Sequence, residues 1–144
     1  MKYKTILEQA LSYYGQQAIV GYDTNKIIER FYEEAGHPEI KGDETPWCAA
    51  FLNAVLFEMG TPNTGSLLAR SFLNLGINTD KPEMGDIVVF WRESKESWKG
   101  HVGIVIRVDG SMVYALAGND NNMVAIHPYS THSVLGYRKL SIEM

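Results

Sequence analysis

One cysteine, Cys48, occurs in the 144 residues. No internal disulfide can form, and paired-cysteine zinc ribbons and CxxC redox motifs are excluded with it. Positive charge is also short, with 13 lysines and arginines against 17 aspartates and glutamates and a net charge of −4. A field of that sign does not hold a phosphate backbone or an anionic membrane surface, so nucleic acid is not an expected partner. Long apolar runs are missing as well. Polar residues interrupt the stretch that follows Lys2 and Lys4, which leaves no secretory h-region and no segment of membrane-spanning length. The expectation is synthesis in the cytoplasm without a signal peptide and without membrane insertion. Nor does any repeat, low-complexity tract or Pro/Gly/Ser-rich linker divide the chain, so residues 1–144 read as a single domain.

What is present is an ordinary globular composition, 45% hydrophobic and 21% charged, with material for one core and too little chain for two. Its organisation is helical first and stranded later, with N-terminal helices over about 4–60 and an antiparallel sheet over about 85–140. Ile6, Leu7, Ala10, Leu11 and Tyr14 recur at helical spacing and stop at Gly15. Ile27, Ile28, Phe31, Tyr32 and Ala35 repeat the pattern up to Gly36, with Pro38 just beyond. A third helix is expected over 43–60, because Thr45 suits the N-cap, Pro46 the first helical position and Gly60 the residue after the C-cap. Cys48 then falls at the third helical position, on a stripe with Phe51, Leu52, Val55, Leu56 and Met59. First-turn amides and the positive dipole end favour a thiolate there. The bland alternative is a small buried hydrophobe that completes the stripe.

From about residue 85 the period changes to two. GDIVVFW, residues 85–91, is apolar on both faces, as a covered central strand would be. HVGIVIRV sets Val102, Ile104, Ile106 and Val108 on one face and His101, Gly103, Val105 and Arg107 on the other. Asp109-Gly110 signals a hairpin whose return strand, SMVYAL, runs into AGNDNN at 117–122. MVAIHPY and VLGYRKL complete the sheet. A three-residue loop pairs Val108 with Met112 and puts His101 opposite Asn119. A two-residue loop puts His101 opposite Gly118, and Asn119 then reaches the imidazole only through a bulge. Glycines 100, 103 and 118 leave open space around the ring.

A cysteine at a helix start, a histidine that opens a strand and a polar side chain on the next strand are the parts of nucleophilic amide hydrolysis. A thiolate attacks the carbonyl carbon, an imidazole takes the thiol proton and returns it to the leaving amine, and a third group orients the ring. Amides at the start of the cysteine helix are the expected oxyanion donors, since unpaired N–H groups point there.

DETPWCAAF, PEMGDIVVFW followed by GHVGIVI, and AGNDNNMV together resemble the CHAP amidohydrolase/peptidases and their NlpC-type relatives, above all small single-domain members of phages and prophages. The resemblance spans roughly residues 5–140. It implies a papain-like α+β fold, with the nucleophile at the N-terminus of a helix packed on a small antiparallel sheet. The implied activity is peptidoglycan hydrolysis at amide bonds, either as a stem-peptide or cross-bridge endopeptidase or as an N-acetylmuramoyl-L-alanine amidase. By position, Cys48 resembles the nucleophile, His101 the general base and acid, and Asn119 the orienting residue. Many CHAP members carry a glutamate two residues before this asparagine, where this chain has Ala117, so Asp120, Asn121 and Asn122 are alternatives for the third role.

Trp47 either walls the substrate cleft or packs in the core. Glu44, beside Asp43, either binds a substrate amine or simply suits the helix dipole. Trp91 and Gly100, which flank the polar loop RESKESWK, complete the substrate-contacting candidates. No metal and no cofactor are expected. His127 and His132 lack the i, i+4 spacing of a zinc pair and read as solvated loop histidines. Adjacent Glu33 and Glu34 point to different parts of a helix surface and do not indicate a glycosidase. Expected partners are peptidoglycan and, for delivery or restraint, a phage tail, holin, secretion apparatus or immunity protein. Two other classes share the features: a non-catalytic wall-binding or virion module of the same fold, and a protein-directed cysteine peptidase or acyltransferase.

Overall fold

A computed structural model describes residues 5–17, 25–40 and 47–140. Helix α1 (Ile6–Leu11) opens with a capping box, in which the Thr5 side chain accepts from the Glu8 amide and the Glu8 carboxylate accepts from the Thr5 amide. Helix α2 (Lys26–Glu34) is capped by Asn25, whose side chain accepts from Ile27 and Ile28. Helix α3 (Cys48–Glu58) has no side-chain cap, and its N-cap is Trp47. Cys48 is therefore the first helical residue and not the third. Trp47 has φ −128° and ψ 17°, outside the helical region, so the helix cannot extend back through it. Thr45 and Pro46, expected to start the helix, lie outside the described residues, as does Glu44.

All nine residues from Cys48 to Leu56 are buried, so α3 is covered on every side. Its one polar member in that run is Asn53, whose side chain donates to the Ser66 carbonyl at 2.8 Å and accepts from the Thr64 amide at 2.9 Å. Among the described residues no helix is long and apolar enough to cross a membrane.

Six antiparallel strands follow: β1 (Ile77–Thr79), β2 (Ile87–Trp91), β3 (Gly100–Asp109), β4 (Met112–Asp120), β5 (Met123–Ser130) and β6 (Val134–Lys139). Their order in the sheet is β1-β6-β2-β3-β4-β5. Ile87, Val89, Val102, Ile104 and Leu116 join the helices in the main core. Val88, Phe90, Val105, Val113 and Ala115 form a smaller cluster with Tyr129, Val134 and Tyr137. Strand β2 is thus covered on both faces, as its unbroken apolar run predicts. The chain just after α1 borders β5, with the Gly15 amide donating to Val124 and the Val124 amide donating to Gln16.

The β3–β4 hairpin differs from both expected registers. Asp109 pairs with Met112, so the loop is Gly110-Ser111, with Gly110 at φ +62°. A bulge between Val105 and Arg107 then shifts the ladder by one, giving Val105↔Ala115 and Ile104↔Leu116. Continued, this second register would pair His101 with Asn119, but the ladder ends at Leu116. Strand β4 bulges between Ala117 and Asp120 against β5, and Asn119 takes a left-handed φ of +57°. Gly118 lets β4 lie directly on α3: a Cβ there would come within 2.7 Å of Phe51 Cβ and 3.0 Å of the Trp47 ring. Asn121 and Asn122, at φ +52° and +65°, make the tight turn into β5.

Candidate active site

The ends of β2, β3 and β4 meet the start of α3. The Val105 amide donates to β2, at the Asp86 carbonyl. By alternation the Val102 amide points to the β4 side. There β4 has already left the ladder, and the Val102 amide is close enough to the Cys48 thiol to favour its ionised form. His101 projects toward the smaller cluster, its ring 6.2 Å from Phe90 at 28°. Because the ladder is open here, Cys48 and His101 still line one cavity.

Burial pushes the Cys48 thiol up, and it outweighs the opposing pull of the Val102, Ala49 and Cys48 amides and of the Arg92 charge. The resting group is a thiol. The helix start does supply amides, as expected, but desolvation reverses the anticipated net effect. His101 is pushed down to about 3, first by burial and then by Arg92, against the pull of Asp120. A neutral imidazole and a neutral thiol line the same cavity.

The imidazole is held by a chain of polar groups. His101 Nε2 lies 3.1 Å from the Tyr129 hydroxyl. Tyr129 donates to Asp120 Oδ2 at 2.5 Å, and the same oxygen lies 2.6 Å from His127 Nδ1. A phenol has one hydrogen, and a carboxylate only accepts. With that hydrogen on Asp120, Tyr129 accepts from His101, so Nε2 carries the imidazole hydrogen and Nδ1 keeps the lone pair. Burial and then Asp120 raise Tyr129 above the ordinary phenol range, which keeps this hydrogen in place.

Asn119 lines the cavity but is not the partner of Nε2. Its left-handed backbone belongs to the bulge that carries Asp120 inward, and Asp120, one of the alternatives named from sequence, reaches the imidazole through Tyr129. His127 is a strand residue paired with Ala115 and bonded to Asp120, not a solvated loop histidine. Tyr129, 28 residues beyond His101, has no local signal in the sequence.

The cavity has a volume of about 270 Å³. Leu67, Leu68 and Ala69 line it, as do Arg92, Trp98, Lys99 and Gly100. Of the substrate-contacting candidates, Gly100 lines the cavity. Trp47 does not: it is fully buried and stacks on Phe31 at 6.2 Å, so it packs the core. Trp91 turns its ring edge toward His132 at 6.3 Å and does not line the cavity. The tryptophan at the mouth is Trp98, 67% exposed, which sequence reasoning missed together with Arg92. A larger cavity, about 360 Å³, lies between the start of α1, the 84–86 turn and the end of β6, and neither cysteine nor histidine lines it.

In comparisons with known proteins, the CHAP domain family matches residues 40–119, more than half of the chain. Among solved structures, the chain is similar to a crystal structure described as "similar to lipoprotein, NLP/P60 family" from Staphylococcus aureus subsp. aureus Mu50, with a TM-score of 0.52 and 16% identity. That likeness covers 99% of this chain and 44% of the other, so this chain spans less than half the length of its structural relative. No curated protein matches the sequence. A helix-start cysteine, a strand-opening histidine and helices packed on a six-stranded antiparallel sheet thus agree with the sequence match, and the chain belongs to the CHAP domain family, with the papain-like α+β fold of its NlpC/P60 relatives.

Proposed function

We propose that this protein is a peptidoglycan hydrolase that cleaves amide bonds with Cys48 as nucleophile and His101 as general base and acid, residues 1–144 acting as one catalytic unit. The observation that carries the reading is the shared cavity, lined by a helix-start thiol and by a buried imidazole whose Nε2 is taken by Tyr129, which leaves the lone pair on Nδ1. As Sγ attacks the carbonyl carbon, Nδ1 takes the thiol proton, and the first-turn amides of α3 stabilise the oxyanion. The imidazolium then gives its proton to the leaving amine. A water, deprotonated by the same nitrogen, releases the acyl group from sulfur.

Two unit charges form from a neutral pair in this step, so support for the imidazolium matters. Asp120 supplies it through Tyr129, since Nε2–H donates to a phenol oxygen already polarised by a carboxylate. Tyr129 and Asp120 thereby take the orienting role that the resemblance assigned to Asn119. Asn119, on the cavity wall, is left to contact substrate.

The test is digestion of purified sacculi by the wild type and by Cys48→Ala, with mass spectrometry of the released fragments. Wild-type-dependent release of a new amine and its matching carboxyl end supports the reading and separates peptidase from amidase. No release above the Cys48→Ala background overturns it.

A further inference from the structure

One charge in the cavity has no part in the proposed hydrolysis. Arg92 follows β2 directly and lines the cavity with Cys48 and His101. Its effect on the two is opposite in kind: it favours the thiolate but disfavours the imidazolium that must form beside it. An anion bound at Arg92 would remove that penalty at the moment substrate arrives.

The surroundings keep Arg92 available. Glu93, its immediate neighbour, turns through a left-handed φ of +67° and gives its carboxylate to Lys99 Nζ at 2.7 Å. Among the described residues no carboxylate pairs with Arg92. The segment carrying it is braced from behind. Arg70 donates to the carbonyls of Ser94 at 2.8 Å, Lys95 at 2.6 Å and Lys99 at 2.8 Å, and the Arg92 amide donates to Lys99 at 3.2 Å. An exposed guanidinium without a carboxylate partner, lining the same cavity as the exposed indole of Trp98, is an arrangement that can recognise a planar carboxylate with an adjoining flat group.

Resting on the hydrolase reading, we propose that Arg92 is a carboxylate-binding subsite which selects peptides bearing a free carboxylate close to the scissile amide, with Trp98 as the wall beside it.

The experiment measures binding, so it does not depend on turnover. The probe pair is L-alanyl-γ-D-glutamyl-L-lysine with the glutamate α-carboxyl free or as its carboxamide, titrated calorimetrically into the Cys48→Ala protein. A charge-assisted hydrogen-bond pair predicts that the free acid binds about 10- to 100-fold more tightly. Arg92→Gln in the same background should weaken the free acid to the level of the carboxamide and leave the carboxamide unchanged. Arg92→Lys, which keeps charge but not the fork, should restore part of the difference. Circular dichroism confirms that each variant is folded. Equal binding of the two peptides, binding of neither, or equal weakening of both by Arg92→Gln overturns the subsite. Sacculi left intact by the wild type, with the Arg92-dependent preference still present, would remove the hydrolase reading and keep the subsite.

Discussion

The Tyr129 hydroxyl lies 2.5 Å from Asp120 Oδ2, and its single hydrogen is committed to that carboxylate. Everything upstream follows from this commitment: Tyr129 must accept from His101 Nε2, and Nδ1 is the nitrogen left with the lone pair. Removing the hydroxyl therefore frees the tautomer while sparing the ring stack on Phe90 at 4.7 Å. Tyr129→Phe should lower kcat by about ten- to a hundredfold with little change in KM, as expected for lost orientation of a base. Asn119→Ala should act mainly on KM. Steady-state turnover of a wall peptide decides between them, and a fully active Tyr129→Phe would exclude the orienting role.

Cys48→Ala should abolish turnover, a loss of several orders of magnitude, without unfolding the protein, because alanine is the best helix former and α3 keeps its packing. Cys48→Ser should be nearly as inactive, since a hydroxyl lacks the nucleophilicity of sulfur. EDTA should leave the wild type active. Loss of activity that added zinc restores would overturn the thiol mechanism.

Burial shapes the pH response. A thiol pushed up by desolvation should be alkylated slowly at neutral pH, with the iodoacetamide rate still climbing above about pH 9, beyond the ordinary thiol range. His101, held down to about 3, stays neutral from neutral pH well into acid. No rate loss should therefore track an ordinary histidine pKa of about 6.5. Stability should behave differently. Below that value the unfolded chain takes a proton that the buried ring refuses, so the urea midpoint should fall as pH drops from about 6.5 toward 3.

Away from the site, Glu34 and Glu58 share a half-buried cluster with Tyr13 and Arg30. Burial and then Glu58 raise Glu34 to about 7, above its unfolded value of about 4.5. For an acid shifted upward, the folded state loses stability as pH rises through this window, and the full cost is present above about 7. Glu34→Gln should accordingly raise the melting temperature at pH 8 more than at pH 4.5, where the wild-type carboxyl is largely protonated. Thermal melts at the two pH values test the sign.

Arg70→Ala removes three hydrogen bonds to the carbonyls of the 94–99 segment. The wall that carries Arg92 and Trp98 then loses its brace, and KM should rise severalfold while kcat, set by Cys48 and His101, changes little. A fall in kcat alone would show that the brace serves the catalytic pair.

Local periodicity in the sequence was enough to place Cys48 at a helix start, to set His101 at the opening of a strand and to foresee helices packed on an antiparallel sheet. Those features depend on neighbours within a few residues, where helical and strand repeats act. Three other features came only from tertiary structure. The bulges at Val105/Arg107 and Ala117/Asp120 depend on how whole strands pair, and it is Tyr129, bonded to Asp120, and not Asn119 that lies against His101 Nε2. Which tryptophan meets solvent was equally nonlocal: Trp47 is buried against α2, and Trp98 is carried outward on a segment that Arg70 pins from another part of the chain. The charge state of the site was the last, because desolvation is a property of the packed interior and here it outweighs the helix-start amides that the local pattern had supplied.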